Sequence, residues 1–66
     1  MRLRFDARVY TRAAVDQAAA AFADFAELSA KEEGGFVDVE LRSKGGHPEA
    51  RLADEFANHV LGLMRP

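Results

Sequence analysis

An alanine-rich segment of helical periodicity lies between two segments of alternating polarity, and this order constrains the fold more than any other feature. Alternation is typical of a strand with one buried face. It first appears in residues 2–10 and returns in residues 36–44. The apolar positions of these two segments are Leu3, Phe5, Ala7, Val9, Val37, Val39 and Leu41. Two half-buried strands are therefore predicted.

The segment between these strands has helical spacing. Thr11 is suited to cap a helix because its hydroxyl can accept from an early backbone N–H. Alanine, which has the highest helix propensity, dominates the following residues. Apolar side chains, with Phe22 and Phe25 among them, cover about half of the helix circumference at 100° per residue and are expected to face the core. We expect Gly34 or Gly35 to end this helix, which then has about 20 residues and a length of roughly 30 Å.

A second helix is predicted near the end of the chain. The "GGHP" segment is typical of a turn, and Pro48 suits the first helical position. In "RLADEFANHVLGLMR", residues 51–65, an apolar stripe is directed toward the core. Its members are Leu52, Phe56, Val60 and Leu63.

The predicted fold is β-α-β-α in one domain, residues 1–66. A helix of roughly 30 Å returns the chain to its starting end, so we expect two parallel strands joined by a right-handed crossover. Both helices then cover one sheet face. Because two strands make a poor sheet with open edges, we expect a homodimer that completes a four-stranded sheet.

The composition argues against several classes of function. The chain has no cysteine, which excludes disulfides and thiolate metal sites and fits a cytoplasmic location. Its net charge of −2 offers no general attraction for nucleic acid or anionic membranes. No apolar stretch reaches the roughly 20 residues that span a bilayer. We therefore expect no membrane association, no metal and no cofactor.

The histidines do not indicate catalysis. His59 lies at the rim of the apolar stripe with Glu55 one turn earlier, which is an ordinary helical contact. Ser29 and Ser43 have no plausible histidine partner in the predicted layout. A glycine pair before Pro48 resembles an anion-binding loop, but proline removes a donor, so we expect a plain turn. The protein is thus predicted not to be an enzyme; the alternative is a subunit that contributes His59 to a shared site.

Charged side chains on the outer sheet face suggest another alternative. Arg4 and Arg8 could contact nucleic acid there, with Phe36 and Tyr10 stacking nearby. Acidic residues lie among these arginines and would repel phosphate, so a solvated face is the favoured interpretation. On the second helix, Leu61 points away from the apolar stripe. The candidate interaction surface comprises Asn58, His59, Leu61, Arg4 and Arg8.

Three segments, "VYTRAAVDQAAAAFADFAEL", "VDVELRSK" and "LADEFANHVLGLMR", resemble the small HxsD proteins of His-Xaa-Ser peptide systems. The family pattern has a tyrosine before an alanine-rich helix, a strand ending near lysine, and an L-x-x-E-F-x-N-x-x-L run with a terminal arginine. The matching positions are Tyr10, Ala14, Ala18, Phe22, Lys44, Leu52, Glu55, Phe56, Asn58, Leu61 and Arg65.

Members of that family are encoded beside radical-SAM enzymes that modify a ribosomally made peptide. The resemblance implies an accessory protein without its own cofactor. Together with the incomplete sheet, it predicts a small non-catalytic protein that binds a protein or peptide partner, such as a peptide-modifying enzyme.

Overall fold

The protein folds into two layers, a three-stranded sheet and two helices that cover one of its faces. The structure, a computed structural model, describes residues 1–64, so Arg65, quoted in the resemblance, lies outside it. The elements in chain order are β1 (Arg2–Asp6), α1 (Arg12–Ala21), β2 (Ala26–Glu33), β3 (Phe36–Ser43) and α2 (Glu49–Leu63).

The sheet is antiparallel throughout, and the predicted pair of parallel strands is wrong. Its order is β1-β3-β2, with the last strand of the chain at the centre. β1 pairs with β3 from Arg2 opposite Glu40 to Asp6 opposite Phe36. β1 and β2 therefore run in the same direction, as expected for strands on either side of one helix, but β3 lies between them.

The correction comes from α1, which is shorter than predicted. It ends at Ala21 after ten residues, and the Ala26 N–H donates to the Phe22 carbonyl in the turn that follows. Residues predicted to continue the helix instead form β2. Ala26, Leu28 and Ala30 alternate toward the core there, while the residues between them are exposed. Pairing with β3 satisfies the strand backbone, so tertiary context overrides the local preference for helix.

Gly34 and Gly35 form the turn of a β-hairpin and do not end a helix. They connect Glu33 to its partner Phe36, with φ angles of 61° and 85°. A two-residue type I′ hairpin turn requires positive φ at both central positions, and glycine adopts such values without steric cost.

The core lies between the sheet and the helices, as the apolar stripe of α2 predicts. The Ala14 N–H donates to Thr11 Oγ1 at 3.1 Å, which confirms the predicted N-cap of α1. Pro48 was predicted to be the first residue of α2 but is its N-cap, so the helix begins one residue later, at Glu49. The buried apolar side chains are Phe5, Ala14, Val15, Ala18, Ala26, Val37, Val39, Leu41, Leu52, Ala53, Phe56 and Val60.

Candidate functional site

Arg4 lies on the open face of the sheet, the face not covered by helices, and is engaged within the chain. Its Nε donates to Asp38 Oδ1 at 2.8 Å, and its guanidinium lies 4.9 Å from the centroid of the Phe36 ring. The Arg4 hydrogen bond holds the pKa of Asp38 below its usual value. Arg4 is therefore already neutralised by a carboxylate on the neighbouring strand.

Arg8 is engaged in the same way at the end of β1. Its Nη2 donates to Asp6 Oδ2 at 2.9 Å, and its backbone N–H donates to Asp6 Oδ1. These bonds lower the pKa of Asp6. Arg2 pairs with Glu40 at 3.1 Å on the same face. Arg2, Arg4 and Arg8 thus each have a carboxylate partner, which does not favour phosphate binding by these three side chains.

Asn58, His59 and Leu61 lie on α2, on the opposite layer of the molecule from Arg4. All three are exposed. The His59 ring meets the Phe22 ring edge-on, with centroids 5.5 Å apart. The structure therefore does not join the residues of the predicted interaction surface into one site, and His59 is an exposed helix residue resting against an aromatic ring.

A groove with an exposed aromatic side chain lies between the turn after α1 and the first half of α2 and is a candidate site. Its volume is about 370 Å³. Phe25 is 47% exposed there, a high value for a large apolar side chain, and its ring lies edge-on to His47 at 6.0 Å. The lining residues are Phe22, Phe25, His47, Pro48, Arg51, Leu52 and Glu55.

Hydrogen bonds that involve the backbone hold the two walls of this groove together. The Lys44 N–H donates to the Phe25 carbonyl at 2.9 Å, and Lys44 Nζ donates to the Ala23 carbonyl at 3.0 Å. On the α2 side, the Ser43 N–H donates to Glu49 Oε2 at 3.1 Å. The turn carrying Phe25 and the loop carrying His47 are thereby fixed relative to each other before any ligand arrives.

The chemistry of the groove is that of an apolar pocket with a charged rim. Phe22 and Leu52 belong to or pack against the core, whereas Arg51 and Glu55 pair at 3.6 Å on the exposed helix surface. Such a pocket can hold an apolar side chain while the rim orients polar groups beside it. Ser43 Oγ donates to the Lys44 carbonyl, which leaves it directed at the backbone.

Sequence reasoning assigned Phe25 to a buried helix face and His47 to a turn, and so missed the groove. Its existence depends on the end of α1 at Ala21, which exposes Phe25. A run of two phenylalanines three residues apart, Phe22 and Phe25, was the available signal. Their helical spacing is equally typical of a core stripe.

Residues 1–64 contain neither a candidate metal site nor a helix that could span a membrane. Histidine and carboxylate side chains in this range form no cluster that could hold a metal ion. Neither helix there has both the length and the apolar character needed to cross a membrane. Comparison with known proteins identifies no relative, since no family model, curated protein or solved structure matches the chain.

Proposed function

We propose that this protein is a small non-catalytic accessory protein that binds a peptide or a partner protein through the groove beside Phe25. The observation that carries the proposal is the half-exposed Phe25 ring in a groove whose walls are held by hydrogen bonds. Exposed aromatic side chains in preformed pockets are typical anchors of protein interfaces.

The lining of the groove favours one class of ligand. An apolar or aromatic side chain of the partner would pack between Phe25 and Leu52, excluding water from both. Polar groups on either side of that anchor would meet Arg51, Glu55 and the His47 ring. A short segment with one large apolar residue between polar neighbours fits this arrangement.

The resemblance to HxsD proteins supports a particular partner class. It suggests a radical-SAM peptide-modifying enzyme or its precursor peptide, encountered in the cytoplasm. Phe22, Leu52 and Glu55 belong both to the matching positions and to the groove lining. The genes beside the one that encodes this chain would provide the candidate partners for a direct binding measurement.

The first test is selection of peptides from a random displayed library against the immobilised protein. We expect enriched sequences to share one large apolar residue, and we expect Phe25→Ser to weaken their binding by at least about tenfold, because a buried aromatic anchor is lost. Val9→Ser is the matched control, since Val9 is 58% exposed and lies outside the groove lining.

Equal binding of the enriched peptides to Phe25→Ser and to the parent protein would overturn the assignment of the groove. Failure of the selection, together with no binding of neighbouring maturation enzymes or their peptide at high micromolar concentration, would overturn the proposed function itself. Circular dichroism of both variants excludes unfolding as the cause of a loss.

A further inference from the structure

β2 is an edge strand whose outward backbone groups belong to its even-numbered residues. Glu33 and Phe36 close the two-residue hairpin, so they exchange backbone hydrogen bonds. Hydrogen-bonded and non-hydrogen-bonded pairs alternate along an antiparallel ladder, so the odd-numbered residues of β2 bond to β3. Ala26, Leu28, Ala30 and Glu32 therefore direct their N–H and carbonyl groups away from β3. The Arg12 guanidinium donates to the Ala30 carbonyl at 3.3 Å, which is consistent with this direction.

The side chains of β2 have an approximate symmetry about Ser29. On the core side, Leu28 and Ala30 flank it, and both are half-buried against the core. On the open face, Glu27 and Lys31 flank it, and both are exposed. A segment with opposite charges at equal distances from its centre is complementary to an antiparallel copy of itself.

We propose that β2 pairs with β2 of a second copy of this chain, antiparallel and centred on Ser29, to form a six-stranded sheet. In this register Ser29 faces Ser29 of the second copy across the twofold axis. Glu27 faces Lys31 of the second copy, and Lys31 faces Glu27. Leu28 faces Ala30 of the second copy on the helix-covered side, so the apolar layer continues across the interface.

The proposed register extends an alternation of charge that is already present in each copy. Within one chain, Glu27 lies opposite Arg42, and Lys31 lies opposite Asp38, which binds Arg4. Pairing through Ser29 joins these into one row across the sheet. Its order is Arg42, Glu27, then Lys31, Asp38 and Arg4 of the second copy. Adjacent members of the row have opposite charge, which stabilises cross-strand pairs.

Neighbouring registers lack this complementarity. A two-residue slip toward the hairpin places Glu27 opposite Glu33 of the second copy, which sets like charges against each other. The opposite slip places Glu27 opposite Ser29 and removes both charge pairs. The β1 edge is less suitable, because it has only five residues and a twofold pairing about its centre sets Arg4 against Arg4.

Arg12 does not block the proposed interface. Its bond to Ala30 is long, and its side chain is 40% exposed and already held by Asp16 at 2.9 Å. A carbonyl oxygen has two lone pairs and can accept a second donor. The Leu28 N–H of the second copy can therefore donate to the Ala30 carbonyl while Arg12 keeps its pairing with Asp16.

The proposal is tested by charge reversal at the two positions that face each other. Glu27→Lys and Lys31→Glu each create two like-charge pairs, so we expect each variant to raise the dimer dissociation constant about tenfold. A mixture of the two variants restores both opposite-charge pairs. Light scattering and analytical ultracentrifugation across a hundredfold concentration range should thus show heterodimers in the mixture where the separate variants are monomeric.

The controls are Asp54→Lys on α2 and Arg8→Glu after β1, which change the net charge by the same amounts away from β2 and should dimerise like the parent protein. A cross-link tests the register separately. Directly opposed residues outside a hydrogen-bonded pair have Cα atoms about 4.5 Å apart, within disulfide range. Because the chain has no cysteine, Ser29→Cys should form a disulfide-linked dimer on mild oxidation, whereas Glu27→Cys should not.

A monomeric parent protein at every concentration would overturn the proposal. So would a dimer that is insensitive to both reversals, or one in which Ser29→Cys does not cross-link. None of these three results would bear on the groove at Phe25, because the dimer and the ligand site are measured by different variants.

Discussion

At the scale of single residues, the open sheet face is organised by pairs that join neighbouring strands. Asp38 is half-buried, and it receives two hydrogen bonds from the Arg4 guanidinium, at 2.8 Å and 3.3 Å. A planar guanidinium matches a carboxylate in this two-point geometry. The pair links β1 to β3, so its protonation state bears on the attachment of the edge strand.

The first prediction concerns pH. The folded-state pKa of Asp38 is lowered from 3.8, chiefly by the Arg4 hydrogen bond. A lowered pKa means that the pair stabilises the fold above the unfolded-state pKa, and that this contribution disappears as pH falls through the folded-state value. Asp38→Asn should therefore lower the urea midpoint at pH 6, and the difference from the parent protein should shrink below about pH 4.

Asp6→Asn is the matched control, because it removes a carboxylate with a lowered pKa that does not join β1 to β3. Asp6 has its lowered pKa from Arg8, which lies two residues away in the same chain segment. Its loss should alter the turn after β1 without releasing β1 from β3. A difference between Asp38→Asn and the parent protein that stays constant down to pH 2.5 would contradict the assigned role of the ion pair.

At the scale of elements, the hairpin between β2 and β3 determines the topology. Gly35 adopts a φ of 85°, where a Cβ atom is strained even though open space surrounds it. Gly62 lies within α2, also in open space, with an ordinary helical backbone. A Cβ atom added at either position contacts nothing, so the different effects of the same substitution report backbone conformation and not side-chain contact.

We predict opposite effects of alanine at the two glycines. Gly35→Ala should destabilise the protein by about 1–2 kcal/mol, the cost of a left-handed residue with a side chain. Gly62→Ala should stabilise it by about 0.5–1 kcal/mol, because alanine loses less conformational entropy in a helix. Urea unfolding measures both, and a destabilised Gly62→Ala would show that the glycine is required for another reason.

The limits of sequence-based prediction are clearest in β2. Residues 26–33 fit both periods, since Ala26, Leu28 and Ala30 alternate while alanine, glutamate and lysine favour helix. Residues 26–33 form a strand because β3 would otherwise have no partner along its second edge. By contrast, β3, α2 and the Thr11 cap were predicted correctly because each has one dominant periodicity or capping signal. The first strand was predicted over residues 2–10, but β1 ends at Asp6, and Val9, expected on its buried face, is exposed.

The candidate groove could not be predicted once that boundary was wrong. Phe25 was expected in the core because a continuous helix would direct it there, whereas the actual turn leaves it half-exposed. Of the residues predicted to form an interaction surface, Arg4 and Arg8 lie in ion pairs and Asn58, His59 and Leu61 lie on α2. Their distance in the fold depends on topology, which periodicity alone does not give.

At the scale of the whole molecule, one aromatic side chain connects the layers. Phe56 of α2 is fully buried and meets the rings of Phe5 and Phe22 edge-on, at centroid distances of 6.0 Å and 5.6 Å. It thus contacts β1 and the end of α1 at once. A domain of this size has a total stability of only about 3–10 kcal/mol.

Removing this ring should affect the entire fold. We predict that Phe56→Ala costs about 3–5 kcal/mol, a large part of that stability, and lowers the urea midpoint much further than Phe56→Leu does. Circular dichroism and Tyr10 fluorescence should report one coincident transition in the parent protein, since the core residues within 1–64 pack in one cluster. A folded Phe56→Ala with an unchanged midpoint would contradict this role.

The central position of β3 has a consequence for the order of events during synthesis. Within one chain, β1 and β2 both pair with residues 36–43. The first half of the chain therefore leaves the ribosome with no sheet to join, and α1, at ten residues, is too short to persist in water by itself. β2 and β3 are joined by a tight turn, so their hairpin can form first. The β1 segment, although synthesised earlier, then pairs with the free edge of β3.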